Sequence, residues 1–113
     1  MLWFTSGQHL SPMDNEMAYA VSKGALHQMT GSIDSALSAS RITANCINPG
    51  PVDTGYLPDD IRDVVAERFP DRRWGRPEDV ANLVEFIVTD AGAWIRGQVL
   101  NSEGGFNRFG SAG

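Results

Sequence analysis

Lysine is almost missing from this sequence: Lys23 stands alone beside eight arginines in 113 residues. Chemistry that needs an amine of adjustable pKa must therefore fall on that one side chain. Cysteine is equally scarce. Cys46 has no second cysteine to pair with, which excludes an internal disulfide and fits a reducing, cytoplasmic compartment. Positive charge is in deficit, 9 Lys and Arg against 14 Asp and Glu, for a formal net charge of −5. That balance argues against a nucleic-acid partner, which needs a basic face. No run approaches the ~20 apolar residues of a membrane span, because Asp and Arg interrupt every segment. The opening Met1-Leu2-Trp3-Phe4-Thr5 lacks a basic start and is too short an apolar run to read as a secretory leader. His9, His27 and Cys46 have no metal-ligand spacing, so no metal is expected. What is present, 42% hydrophobic and 20% charged residues, suffices for one domain with a modest core.

Residues 1–5 read as a short strand cut off by Ser6-Gly7, and residues 8–15 have loop composition. From about Glu16 to Ser40 the pattern is helical. Leu26, Met29, Ile33 and Leu37 form one stripe, and Ala18, Val21, Ala25 and Ala36 form a second of small residues. Two stripes predict a helix buried on two sides, with Gly24 and Gly31 admitting another backbone. Arg41 to Asn48 alternates as a strand and stops at Pro49-Gly50-Pro51. Pro58-Asp59-Asp60 and Pro77-Glu78-Asp79 each open a helix, with proline and acids in the first turn. Ile61, Val64, Val65 and Phe69 give the first an apolar face; Val80, Leu83, Val84, Ile87 and Val88 give the second one. Gln98 to Ser102 reads as a last strand before Gly104-Gly105. The order β-α-β-α-α-β predicts an α/β fold with a parallel sheet and helical crossovers.

The chemistry-bearing residues are Ser6, Tyr19 and Lys23. Tyr19 and Lys23 are four apart on a helix and project from one face. A tyrosine hydroxyl is a poor base at neutral pH, and a nearby ammonium favours its phenolate. Ser6 lies where a strand ends, a usual place for reactive groups in an α/β sheet. A surface pair is the ordinary reading of Tyr and Lys at this spacing; that the only lysine falls there favours chemistry. His27 continues the same row and reads as a solvated helix histidine. Arg72, Arg73 and Arg76 beside Trp74 read as a solvated loop, or as a patch that steers an anionic substrate.

Tyr19-Ala20-Val21-Ser22-Lys23 resembles the YxxxK signature of the short-chain dehydrogenase/reductase family, and Ser6 stands 13 residues before Tyr19, as that family's catalytic serine does. Asn45-Cys46-Ile47-Asn48-Pro49-Gly50-Pro51-Val52-Asp53-Thr54 is similar to its N-x-x-N-P-G-x-x-x-T segment. Gly75-Arg76-Pro77-Glu78-Asp79-Val80-Ala81 is similar to its G-x-P-E-D-V-A helix start, and Gly97-Gln98-Val99-Leu100 with Gly104-Gly105 to its closing strand. The resemblance covers nearly the whole chain and looks closest to bacterial 3-oxoacyl-carrier-protein-reductase-like members.

That resemblance implies a Rossmann-type doubly wound parallel sheet and an NAD(P)(H)-dependent oxidoreductase acting on a small-molecule carbonyl or secondary alcohol, with a 3-oxoacyl thioester as the narrower candidate. Tyr19 would protonate the carbonyl oxygen, Lys23 would assist it and bind the nicotinamide ribose, and Ser6 would orient the carbonyl. Pro49, Gly50, Val52 and Thr54 would line the cofactor, NAD or NADP. The helix of Ile61, Val64, Val65 and Phe69 matches the family's substrate lid. The family's T-G-x-x-x-G-x-G phosphate loop and its N-A-G segment have no counterpart, so residues 1–113 are expected to be the C-terminal half of one domain, without the dinucleotide-phosphate-binding half. Arg96 and Glu103 stand where the family usually has Thr and Asp. The expected partners are a second copy or a complementary half. The rival expectation is a catalytically silent fragment, or an interaction subunit that needs a partner chain to complete its sheet.

Overall fold

The computed structural model describes residues 1–109. Three strands, β1 (Leu2–Phe4), β2 (Asn45–Asn48) and β3 (Val99–Asn101), form a sheet in the order β1-β2-β3. Both pairings are parallel, with Trp3 opposite Cys46 and Ile47 opposite Leu100. All four residues of β2 are buried, as expected for the central strand of a sheet covered on both faces. The expected strand from Arg41 begins only at Asn45. Arg41 is in the left-handed region, φ 57°, where it closes the preceding helix, so the chain is still turning there.

Helix α1 (Met17–Leu37) connects β1 to β2 and continues as a single 3₁₀ turn to Ser40. Its inward face is fixed by polar as well as apolar contacts. The Trp3 indole N–H lies 3.1 Å from the Leu26 carbonyl and 3.0 Å from the hydroxyl of the fully buried Thr30. Asp34, also buried, accepts the Ala44 N–H at 2.8 Å where the chain enters β2. The expectation of burial on two sides does not hold within this chain. Val21 is 73% exposed, and Ala18, Ala25 and Ala36 are exposed with it. A methyl group on Gly24 would meet nothing within 4 Å, and on Gly31 only the Gly97 carbonyl at 4.0 Å. No element among the described residues covers that stripe.

Helices α2 (Asp59–Ala66) and α3 (Pro77–Val88) lie between β2 and β3. The start of α3 follows its sequence: Pro77 is at the first helical position, and the Asp79 carboxylate accepts the Arg76 N–H at 2.8 Å. Its inward stripe ends on buried Ile87, whereas Val88 stays 66% exposed. On α2 the expected apolar face is largely unpacked. Ile61 and Val64 are 48% and 68% exposed, and only Phe69, beyond the helix end, reaches the core, against Phe106 at 4.8 Å between ring centroids.

Candidate active site

The carboxyl end of β1 is pinned to α1 by one buried residue. Thr5 donates its N–H to the Ile47 carbonyl at 2.8 Å and its hydroxyl to the Lys23 carbonyl at 3.0 Å. This anchor sits one residue before Ser6 and holds α1 at the turn that carries Lys23. The Lys23 ammonium lies 3.4 Å from the Phe4 carbonyl and 5.7 Å from the Tyr19 ring centroid. The helical turn that carries Tyr19 and Lys23 thus meets the strand end that leads into Ser6. Among the described residues, the Ser6 and Tyr19 hydroxyls have no protein hydrogen-bond partner, and Tyr19 is 45% exposed. A tyrosine hydroxyl near an ammonium, with a serine hydroxyl at the adjoining strand end, is a set of groups able to hold an oxygen-bearing ligand and exchange a proton with it.

The segment after β2 lies at the same edge of the sheet. Gly50 has φ +66°, a conformation side chains resist, and donates its N–H to the Asn48 side-chain oxygen at 3.1 Å. Beyond it, the Asp53 N–H reaches the Gly75 carbonyl at 2.9 Å, and Gly75 donates to the Pro51 carbonyl at 3.1 Å. Val52 is therefore clamped to the loop before α3, and Thr54 is exposed outside the clamp. Pro49 and Pro51, with Phe69, Arg73, Ser102 and Glu103, line a cleft of about 330 Å³. Carboxyl ends of parallel strands are where ligands of such sheets bind.

In the arginine loop Arg72 and Arg76 are exposed, as expected of a solvated loop, whereas Arg73 and Trp74 are tied down. Arg73 forks onto Asp79 at 2.8 and 3.3 Å, and the Trp74 indole donates to the Arg62 carbonyl at 2.9 Å. Arg62 in turn holds Asp53 and Asp59, each at 2.7 Å. His27 is not a solvated helix histidine. Its ring packs edge-on against His9, 4.6 Å between centroids, and its Nδ1 is enclosed without a partner. Burial, then the neighbouring His9, lowers its pKa below the ordinary histidine value. Among the described residues, no group of three or more His, Cys, Asp or Glu is placed to hold a metal ion, and no helix is long and apolar enough to cross a membrane.

A family model described as enoyl-(acyl carrier protein) reductase matches residues 1–107. The chain belongs to the short-chain dehydrogenase/reductase family. It is 44% identical over 104 residues to the uncharacterized oxidoreductase YjdA of Bacillus subtilis, covering 92% of this chain and 41% of that protein. It is 36% identical over 111 residues to an NADPH-dependent aldehyde reductase-like protein, chloroplastic, of Arabidopsis thaliana, covering 94% and 41%. A crystal structure of a short-chain dehydrogenase family protein from Francisella tularensis superimposes with a TM-score of 0.81 at 29% identity, over 92% of this chain and 49% of that one. The fold is accordingly part of a Rossmann domain, and the chain spans about two fifths of the length of the curated relatives it matches.

Sequence reasoning missed three participants at this edge. Asn48 was visible within a motif, but its role as a hub shows only in space: its amide donates to Asn101 at 3.0 Å and Glu103 at 2.9 Å. His9 reaches the Asn101 side chain at 2.9 Å across the end of β2. Arg108 belongs to no motif, and nothing in its local sequence signals its position over the Ser6–Gly7 turn.

Proposed function

We infer that this chain supplies the substrate-side half of an NAD(P)(H)-dependent oxidoreductase that interconverts a carbonyl and a secondary alcohol. The observation that carries this reading is the Thr5–Lys23 anchor, which brings the helical turn bearing Tyr19 and Lys23 against the end of β1 that leads into Ser6. Family membership and relatives named as oxidoreductases support it. In this assignment Ser6 donates a hydrogen bond to the substrate oxygen and fixes its orientation. Tyr19 delivers the proton to that oxygen, and the Lys23 ammonium stabilises the phenolate left behind. A bound NAD or NADP supplies or receives the hydride.

The residues present fit the nicotinamide end of such a cofactor. Lys23 offers a donor to the ribose, and Pro49, Gly50, Val52 and Thr54 offer a rigid backbone edge that a ring can approach. They do not provide a glycine-rich turn leading into a helix, the usual seat of the pyrophosphate. We therefore assign the phosphate-binding half to sequence outside residues 1–113, contributed in cis or by a partner, in a cytoplasmic setting. A 3-oxoacyl thioester is the narrower substrate of this reading, supported by 33% identity over 90 residues to the 3-oxoacyl-[acyl-carrier-protein] reductase FabG of Thermotoga maritima.

The test is to join the chain to the dinucleotide-binding half of the Bacillus relative and follow nicotinamide oxidation with aldehydes, ketones and a 3-oxoacyl thioester. Tyr19→Phe is expected to lower kcat by the ~10²–10⁴ of lost general acid catalysis, with Lys23→Met at least as damaging. Near-normal turnover by Tyr19→Phe would overturn the assignment.

A further inference from the structure

Two glycines, one in each half of the candidate site, rest against opposite ends of a single ion pair. Gly7 follows Ser6, and a methyl group there would collide with the Arg108 guanidinium. Gly50 belongs to the cofactor-side loop, and a methyl group there would come within 2.9 Å of Glu103 Cα and 3.0 Å of its Cγ. Arg108 and Glu103 are paired with each other, their side chains only 16% and 11% exposed. The same Glu103 oxygen accepts the Asn48 amide at 2.9 Å, and the Asn48 side-chain oxygen accepts the Gly50 N–H at 3.1 Å. Contact therefore runs without a gap from the Ser6–Gly7 turn, through Arg108, Glu103 and Asn48, to Gly50.

Stability alone accounts poorly for this pair. Enclosing both charges costs much of what their attraction returns, and the Arg108 Nε stays enclosed without a partner. Geometry accounts for it better. A guanidinium is planar, and here it also lies over the Phe106 ring, 5.4 Å from its centroid, so its plane is set from below while its tip covers Gly7.

We propose that the Arg108–Glu103 pair is a strut that sets the spacing between the Ser6–Gly7 turn and the Asn48–Gly50 loop. Resting on the functional reading above, it holds the hydroxyl that orients the carbonyl at a fixed distance from the backbone edge that meets the nicotinamide. Arg108 and Glu103 act in this proposal as positioning residues.

Amide-resolved hydrogen exchange on the joined protein, with neither substrate nor dinucleotide added, tests the strut without requiring turnover. The reporters are the Leu10 N–H, bonded to the Gly7 carbonyl at 2.9 Å, and the Gly50 N–H. The Gly97 N–H, bonded to the Ala44 carbonyl at 2.8 Å, is the control. Arg108→Met should speed exchange at Leu10 and Gly50 together by roughly tenfold or more, as for a lost charge-assisted bond, and leave Gly97 unchanged. Acceleration at one reporter only, or at neither, overturns the proposal. If Arg108→Met also loosens Gly97, Glu103→Gln, which keeps the volume, decides on the same three amides. In the joined enzyme, Arg108→Lys should lower kcat and raise the KM for the dinucleotide. If Tyr19→Phe abolishes turnover while Arg108→Lys matches wild type, the strut falls and the functional reading stands. If Tyr19→Phe is near normal, the functional reading falls and exchange alone judges the strut.

Discussion

Asp34 shows how much one side chain can organise at the start of a strand. One carboxylate oxygen accepts the Ala44 N–H at 2.8 Å, and the other takes the Arg96 guanidinium at 2.9 Å. The Arg96 hydrogen bond first, then the backbone bond, holds its pKa below the ordinary aspartate value. Asp79 is depressed in the same way, first by Arg73 and then by the Arg76 N–H. A carboxylate that binds its proton less readily when folded stabilises the fold above its unfolded pKa, and that contribution is lost as pH falls through the lower folded value. The urea midpoint should therefore drop as pH falls below about 4, and Asp34→Asn should flatten that drop. At neutral pH, Asp34→Ala should cost about 1–3 kcal/mol by leaving the Ala44 N–H without an acceptor; urea unfolding checks both. None of this was legible in the sequence. Arg96 stood out only as an unexpected residue, and its partner lies 62 positions away on a helix.

Among the elements, α2 and its flanks separate what periodicity can say from what it cannot. A Pro-acid start and spaced apolar residues announced α2 and α3 correctly, because capping and propensity act within one turn. The apolar stripe of α2 did not reveal its cover. Phe69 is 2% exposed, whereas Ile61 and Val64 face outward. Phe69→Ala should thus lower stability by about 3–5 kcal/mol. Ile61→Ala and Val64→Ala should barely shift Tm, but should change KM or substrate preference in the joined enzyme if α2 closes over substrate. Equal Tm losses at all three positions would show that α2 packs inward in solution. The same lesson applies to α1. Its two stripes were visible as sequence, yet whether Val21 and Ala25 are covered depends on surfaces other than those of residues 1–109. The candidate site was legible where it was local, in Tyr19 and Lys23 one turn apart. It was illegible where Glu103 and Arg108 fold back over it.

For the molecule as a whole, surface outweighs core. The chain exposes 7329 Å², against roughly 6,100 Å² expected for a compact monomer of this mass. Only five apolar residues among those described are buried, Ala44, Cys46, Ile47, Phe69 and Ile87. An open strand edge beside uncovered apolar surface seeks partners. The purified chain is therefore expected to self-associate or to require a complementary half, and to bind NAD(P)H weakly alone; light scattering and a nicotinamide-fluorescence titration check this. A well-folded monomer with micromolar affinity would contradict it. The sheet carries one more consequence, for the order in which the protein is made. Both pairings of β2 join distant stretches of chain, Leu2 with Asn45 and Cys46 with Val99, and no hairpin offers a local first step. Such topologies close slowly. On the ribosome, β2 must wait with its β3 side open until both helices and β3 have followed it out. That interval is when a chaperone, or a neighbouring nascent chain, has its best access to the strand.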